Sequence, residues 1–194
     1  MEPRARQRRS AGMRRPVPLL LAVTLLLAAC SPSPSPTPSA PELASGTLSG
    51  HGMTLSVTAK PAVVAAGQPI SVEATVTNHG AEPIVLSGSG SGFVVFSVTR
   101  VQDGLTSGEE VTQGDCAPHI VPVGEPNVIP FSKSGGWSED DPNAAFLRTY
   151  FADPQLTLPS GTWRIDVSML GTIGQGCTGP QLDLELSVLV RVTE

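Results

Sequence analysis

Basic residues are scarce where this chain is expected to fold. Of 12 Lys+Arg in 194 residues, six are Arg4, Arg6, Arg8, Arg9, Arg14 and Arg15, set against one acid, Glu2. Removing residues 1–29 from the totals of 12 basic and 17 acidic residues leaves 6 against 16, a formal net charge of −10. So acidic a surface offers no patch for a phosphate backbone, and nucleic acid is not an expected partner. Aromatic residues are also few, at 5 Phe, 2 Trp and 1 Tyr. They form no cluster on which a sugar ring would stack, and no carboxylate pair stands in an apolar setting suited to glycoside hydrolysis. Long hydrophobic runs are missing as well: the apolar tract at residues 19–29 falls short of the roughly 20 residues a helix needs to cross a hydrocarbon core.

What is present at the N-terminus is an ordered sequence of basic, apolar and small residues, the layout of a secretory leader. The tract ends in Leu27-Ala28-Ala29-Cys30, which resembles the lipobox of bacterial lipoproteins. That resemblance implies cleavage before Cys30, a diacylglycerol on its sulfur and acylation of the new terminus. Residues 1–29 are then a signal peptide. The mature protein is expected on the cell membrane or outer membrane, lipid-anchored and facing the periplasm or the cell exterior, with the membrane itself as one partner. Several acyl chains anchor stably where one alone is marginal.

Residues 31–41, "SPSPSPTPSAP", place proline at nearly every second position. Proline fixes φ and donates no hydrogen bond, so the segment is expected to stay extended at ~3.1 Å per residue, reaching ~35 Å. The small polar residues that follow, "ELASGTLSGHG", extend this spacer to residue 52. Residues 30–52 are thus expected as lipidated cysteine and linker, and residues 53–194 as one domain.

Within that domain the apolar residues alternate. Met53, Leu55, Val57 and Ala59 share a face, as do Ile70, Val72, Ala74 and Val76; so do Trp163, Ile165, Val167 and Met169, and the run from Leu182 to Val192. Period two means half-buried strands. Strands with one apolar face must pack face to face, which predicts an all-β antiparallel sandwich. "FVVFSVTRV", residues 93–101, is apolar on both faces over part of its length, as a central or a bulged strand would be. Six prolines between residues 109 and 155 predict loops and edge strands there, with one helical turn near residues 142–147. "VTAKPAVVAAGQPISVEATVTNHGAEPIVLSG" and "LTLPSGTWRIDVSM" resemble the opening and the penultimate hairpin of bacterial immunoglobulin-like domains, implying an immunoglobulin-like sandwich with Trp163 inward. Asn78, "EPIVL", a Gly-rich turn and "FVVFSV" are loosely similar to the intracellular proteinase inhibitor family of Bacillus, also a β-sandwich.

With Cys30 assigned to lipid, Cys116 and Cys177 remain, in Gly-rich loops of an exported chain, and a disulfide is expected. The alternative is a reactive or metal-binding thiol pair, though neither cysteine has a CxxC partner or an adjacent base to lower its pKa. "GSGSG", residues 88–92, centres on Gly90 and reads as a turn, not as a nucleophile elbow. His51, His79 and His119 leave a triad open in principle, because triads are defined by geometry. "SEDDPN" gathers Glu139, Asp140 and Asp141 but lacks the spaced ligands of a calcium loop. His51 and Met53 pair imidazole with thioether, as copper would use, yet Met53 is expected in the core. No metal, cofactor or catalysis is therefore expected. Trp137 in "SGGWSEDD" is either core-packed or an exposed anchor. With Glu139, Asp140 and Asp141 it forms the candidate binding loop for an envelope protein or extracellular ligand. The alternative function is protease inhibition by the Pro-rich residues 116–126, tethered at Cys116.

Overall fold

The computed structural model describes residues 43–108 and 114–194; the segment expected to be a leader, Cys30 and the Ser/Pro-rich residues 31–41 lie outside the described residues. Ten strands form two sheets, and one helix joins them. The first sheet runs β1 (Ala44–Gly50), β2 (Met53–Lys60), β4 (Ser71–Asn78) and β8 (Pro126–Pro130), all antiparallel. The second runs β3 (Val63–Ala65), β10 (Gln181–Thr193), β9 (Gly161–Ile173), β5 (Ile84–Gly88) and β7 (Ala117–Val121), with β6 (Val94–Arg100) also on β9. The molecule is the expected all-β sandwich. The alternating residues account for it: Met53, Leu55, Val57 and Ala59 from β2 and Trp163, Ile165, Val167 and Met169 from β9 are buried in one core cluster, while the intervening positions face outward.

The strand over residues 93–101 proves to be part of an interrupted one. β5 and β6 both pair antiparallel with the same side of β9, β5 at Thr172 and Ile173 and β6 from Met169 back to Trp163. Between them residues 89–92 loop out and close on themselves, Gly92 N–H donating to Ser89 O at 2.9 Å. Gly171 sits opposite this break at φ +140°, where a Cβ would lie 2.6 Å from the Ser87 carbonyl oxygen; only glycine fits so close an approach.

Two expectations are corrected. Residues 44–50, read as spacer, are strand β1, paired with β2 at every position from Ala44↔Ala59 to Gly50↔Met53. The alternation is hidden because the inward positions other than Leu48 are small: a Cβ on Gly46 would meet Leu186 at 3.0 Å, and one on Gly50 would meet Leu184 at 2.7 Å. The domain therefore begins before residue 53. The single helical turn expected near 142–147 is instead a nine-residue helix, α1 (Ala144–Ala152). Phe146, Leu147, Tyr150 and Phe151 form its apolar stripe, too short a pattern between Pro142 and Pro154 to register as a 3.6-residue period.

Helix α1 docks on the aromatic end of the core. Leu147 and Tyr150 are buried, Phe146 stacks on Trp163 with centroids 5.5 Å apart, and the Trp163 Nε1–H donates to Pro159 O at 2.8 Å. Tyr150, 2% exposed, has its phenol pushed up to about 12 by burial, with a hydrogen bond from Ser107 acting in the opposite direction.

The cysteines are joined as expected. The Cys116–Cys177 disulfide has a Cα–Cα distance of 5.6 Å and a sequence separation of 61, tying the start of β7 to the turn between β9 and β10. Both residues take positive φ, 53° and 56°, a conformation that costs a non-glycine residue about 1 kcal/mol, so the covalent bond holds each turn in its less favoured form.

Two stability measurements follow. Tyr150 is the single tyrosine, so tyrosinate absorbance reports it alone. A raised folded pKa means that its contribution is complete below pH 10 and is lost as pH rises through about 12, an expected loss of about 3 kcal/mol at ~1.36 kcal/mol per unit. Tyr150→Phe should flatten the stability profile above pH 10, and an unchanged profile would refute the assignment. Replacing both Cys116 and Cys177 with Ala should cost about 4 kcal/mol in chemical denaturation, from the entropy of the closed loop. In the unreduced native protein neither cysteine should react with a thiol reagent.

Candidate functional site

The loop that carries Trp137 is fixed at its start. Phe131 N–H donates to Val72 O at 2.9 Å, and its ring meets Phe96 edge-on at 5.3 Å. Two residues later the Lys133 ammonium caps the end of α1. It donates to Tyr150 O, to Asp153 O at 2.6 Å and to Gln155 O at 2.7 Å, and lies 4.3 Å from the Tyr150 ring centroid. The last carbonyls of a helix have no partner within it and carry the negative end of its dipole, so three donors on one cation suit them well. Burial pulls the Lys133 pKa down and the Asp153 carboxylate pulls it up; three acceptors need the protonated form, which alone has three N–H groups. Asp153 in turn accepts from Thr157 Oγ1 at 2.6 Å and from Gln155 N–H at 2.8 Å. Its pKa falls below the usual carboxylate range through those bonds, the threonine's first.

Trp137 is half-buried and lies outside the core cluster. The Arg148 guanidinium from α1 stands 5.3 Å from its ring centroid and also pairs with Glu139 at 2.6 Å. With side chains 60% and 73% exposed, that ion pair contributes little stability; its effect is to hold the guanidinium over the indole. Asp141 instead shapes the entry to α1, its Oδ1 accepting from Asn143 N–H at 2.7 Å and its carbonyl from Ala144 N–H at 2.9 Å. Asp140 is exposed. The three acids thus sit in one loop but play different parts. Among the described residues no group of three or more His, Cys, Asp or Glu side chains is arranged to hold a metal ion. His51 is exposed in the β1–β2 turn while Met53 is 1% exposed in the core, so imidazole and thioether share no site.

A second feature lies beside the disulfide, a shallow depression of about 170 Å³ bordered by Ser87, Ser89, Cys116, Gly171, Thr172 and Cys177. The Ser87 hydroxyl is engaged, donating to Gly174 O at 2.6 Å and accepting from Gly176 N–H at 3.1 Å. The looped-out residues 89–92 are tied to the segment entering β7: Gly90 N–H donates to Asp115 Oδ1 at 2.7 Å, and His119 Nε2–H donates to Ser89 O at 2.8 Å. His79 Nε2 bonds Thr54 Oγ1 at 2.9 Å on the outer face of the first sheet. Both imidazoles are engaged with a backbone carbonyl or a threonine, an arrangement unlike the serine, imidazole and carboxylate series of a triad. "GSGSG" is the tight turn its sequence indicates.

Residues 116–126, the candidate inhibitory segment, do not form a projecting loop. Residues 117–121 are edge strand β7, paired with β5, and the turn after them is bound to Asn78. That asparagine is fully buried; its Nδ2 donates to Glu82 O at 2.8 Å and Val121 O at 3.2 Å, its Oδ1 accepts from Gly80 N–H at 2.8 Å, and its carbonyl accepts from Gly124 N–H at 2.8 Å. Neither Asn78 nor Lys133 stood out in the sequence as an organiser of loops. The one available signal for Lys133 was its rarity as a basic residue beyond residue 29.

No protein-family model matches this chain, and no curated protein is detectably similar to it. Among solved structures, a crystal structure of a protein from Archaeoglobus fulgidus is similar over 78% of this chain and 96% of that one, at 16% identity and a TM-score of 0.33, a level of superposition that carries no functional argument.

Proposed function

We propose that this protein is a lipid-anchored envelope lipoprotein whose immunoglobulin-like sandwich acts without catalysis, presenting the Trp137 loop to an envelope protein or extracellular ligand. The expected leader at residues 1–29, Cys30 directly after it and the Ser/Pro spacer supply the reading of anchor and reach. The observation that carries the binding role is the fixation of Trp137. An amphipathic ring is held half-buried at the surface, with one cation over it, in a loop secured by Phe131 and by the three bonds of Lys133. A surface aromatic already ordered loses little conformational entropy on binding, which is what an interface anchor requires. The protease-inhibitor reading is the weaker one, because residues 117–121 are committed to a sheet and an inhibitory loop must project into a protease cleft.

Two measurements test this. Intact-mass analysis of the protein from its bacterial membranes should find Cys30 as the first residue, carrying diacylglycerol; an intact leader with an unmodified Cys30 would end the anchor reading. Because Trp137 lies outside the core, Trp137→Ala should keep the fold and lose at most about 1 kcal/mol, while abolishing recovery of the envelope component that the wild-type protein captures. Retention of every wild-type interaction by a folded Trp137→Ala protein would remove the proposed anchor.

A further inference from the structure

The edges of the two sheets are guarded unequally. β8 closes one side of the first sheet and carries Pro126 and Pro130; β7 closes one side of the second and carries Pro118. β3 is three residues long, and β10, which pairs with β3 only at residues 191–193, carries Asp183 and Glu185. Prolines, charges and short strands are the usual means of stopping one sheet from adding to another. β1 has none of them. Its sequence is ASGTLSG, seven residues without proline or charge, and among the described residues only β2 pairs with it.

The backbone groups on that open edge follow from the turn. His51 and Gly52 link β1 to β2 with φ of 53° and 76°, a two-residue hairpin turn of the kind that matches strand twist. In such a hairpin the closing pair, Gly50 and Met53, exchanges both backbone hydrogen bonds, and bonded pairs then alternate along the ladder. Ala44, Gly46, Leu48 and Gly50 therefore bond to β2, while Ser45, Thr47 and Ser49 turn their N–H and C=O groups outward. The side-chain bonds agree: Thr47 Oγ1 to Ser56 Oγ at 3.2 Å and Ser49 Oγ to Thr54 Oγ1 at 3.0 Å join the positions where an antiparallel ladder brings side chains closest.

We propose that the open edge of β1 pairs antiparallel with β1 of a second copy of this chain, about a two-fold axis at Thr47, so that the four-stranded sheets of the two molecules become continuous. The strand is complementary to itself in that register. Thr47 meets Thr47, and Ser45 meets Ser49, so every outward N–H finds an outward C=O. Gly46 meets Leu48 on the inner side. Leu48 is 36% exposed, and in its partner it would lie over Gly46, beside the half-buried Leu186 that fills the space a Gly46 side chain would need. Self-pairing doubles every charge at an interface, so an uncharged strand in a chain this acidic points to its own copy as the occupant. Asp183 and Glu185 alternate with the buried Leu182 and Leu184 and thus stand on the outer face of the other sheet, away from this edge. The pairing needs only residues 44–50 and does not depend on the lipid or on the Trp137 loop.

The test uses the full chain as its host processes it. Thr47→Cys under mild oxidation should give a reducible homodimer whose digest contains a peptide joined 47 to 47. Val128→Cys, also exposed, at 53%, but on the edge that prolines flank, should stay at background. Thr47→Pro removes one outward N–H and leaves the bonds to β2 intact, and Thr47→Lys sets two ammonium groups side by side. Both should retain the near-ultraviolet circular dichroism of the native fold and sediment at half the wild-type mass; the lysine variant serves alone if the proline variant fails to fold. The proposal is overturned if the wild type sediments as a monomer, if Thr47→Cys cross-links no better than Val128→Cys or only to a different protein, or if the folded Thr47→Lys protein remains a dimer.

Discussion

The structure depends on burying one column of side chains. Trp163, Ile165, Val167 and Met169 point from β9 into the space faced by Met53, Leu55, Val57 and Ala59 of β2, and all eight are at most 1% exposed. Neither sheet could leave that face in water, so each specifies the other. β9 also sets the layout around it. It is thirteen residues long, pairs with β10 along almost its whole length, and needs more partner on its other side than either β5 or β6 provides. The two strands share that side in succession, and the surplus residues 89–92 leave the sheet between them. From there they reach Asp115 and His119, beside the disulfide. The shallow depression at that point lies beside the interruption of the strand; its Ser87 hydroxyl is occupied by the turn after β9, while among the described residues Thr172 Oγ1 is buried without a partner.

The alternation that defines this core is the part of the fold most legible in the sequence. The four strands read from period two, β2, β4, β9 and β10, all form, and Trp163 faces inward as its position in the alternation requires. The disulfide was legible by arithmetic, since two cysteines remained once Cys30 was set aside. β1 was not legible, for a reason visible only in three dimensions: three of its four inward positions, Ala44, Gly46 and Gly50, are small, with Leu184 and Leu186 in the volume beneath the two glycines, so Leu48 alone does not make an alternation and the segment appears as a run of small polar residues. Helix α1 was half legible. Its apolar stripe is clear once the helix is known, but in nine residues bounded by prolines it does not outweigh the loop signals on either side.

The loop geometry was the least legible, because it rests on single polar side chains that bond to distant backbone. Lys133 and Asn78 reach carbonyls up to 43 positions away in sequence, and no spacing rule foretells such partners. Both illustrate the same requirement. A sandwich with long connections leaves backbone carbonyls near its core without sheet partners, and each must be satisfied or the fold loses stability. One ammonium does this for the end of α1, and one amide does it for the turns flanking β4 and β7.

That dependence on neutral acceptors fits the charge balance of the chain. With 6 basic residues against 16 acidic ones beyond residue 29, ion pairs cannot organise the surface. The three pairs formed among the described residues, Arg100 with Asp103, Arg148 with Glu139 and Arg164 with Asp166, each expose at least one side chain by half or more, so salt screens them and they add little. Lys133 bonds to carbonyls and acts on a carboxylate, that of Asp153, only through space. The Trp137 loop therefore presents an ordered aromatic ring beside acids that only Arg148 offsets. On the proposed reading, a partner docking there would gain apolar area at the ring and meet a negative rim, which favours neutral or cationic surfaces over anionic ones. The β1 edge, by contrast, carries no charge of its own, so a strand pairing there would meet no like charge within the ladder itself.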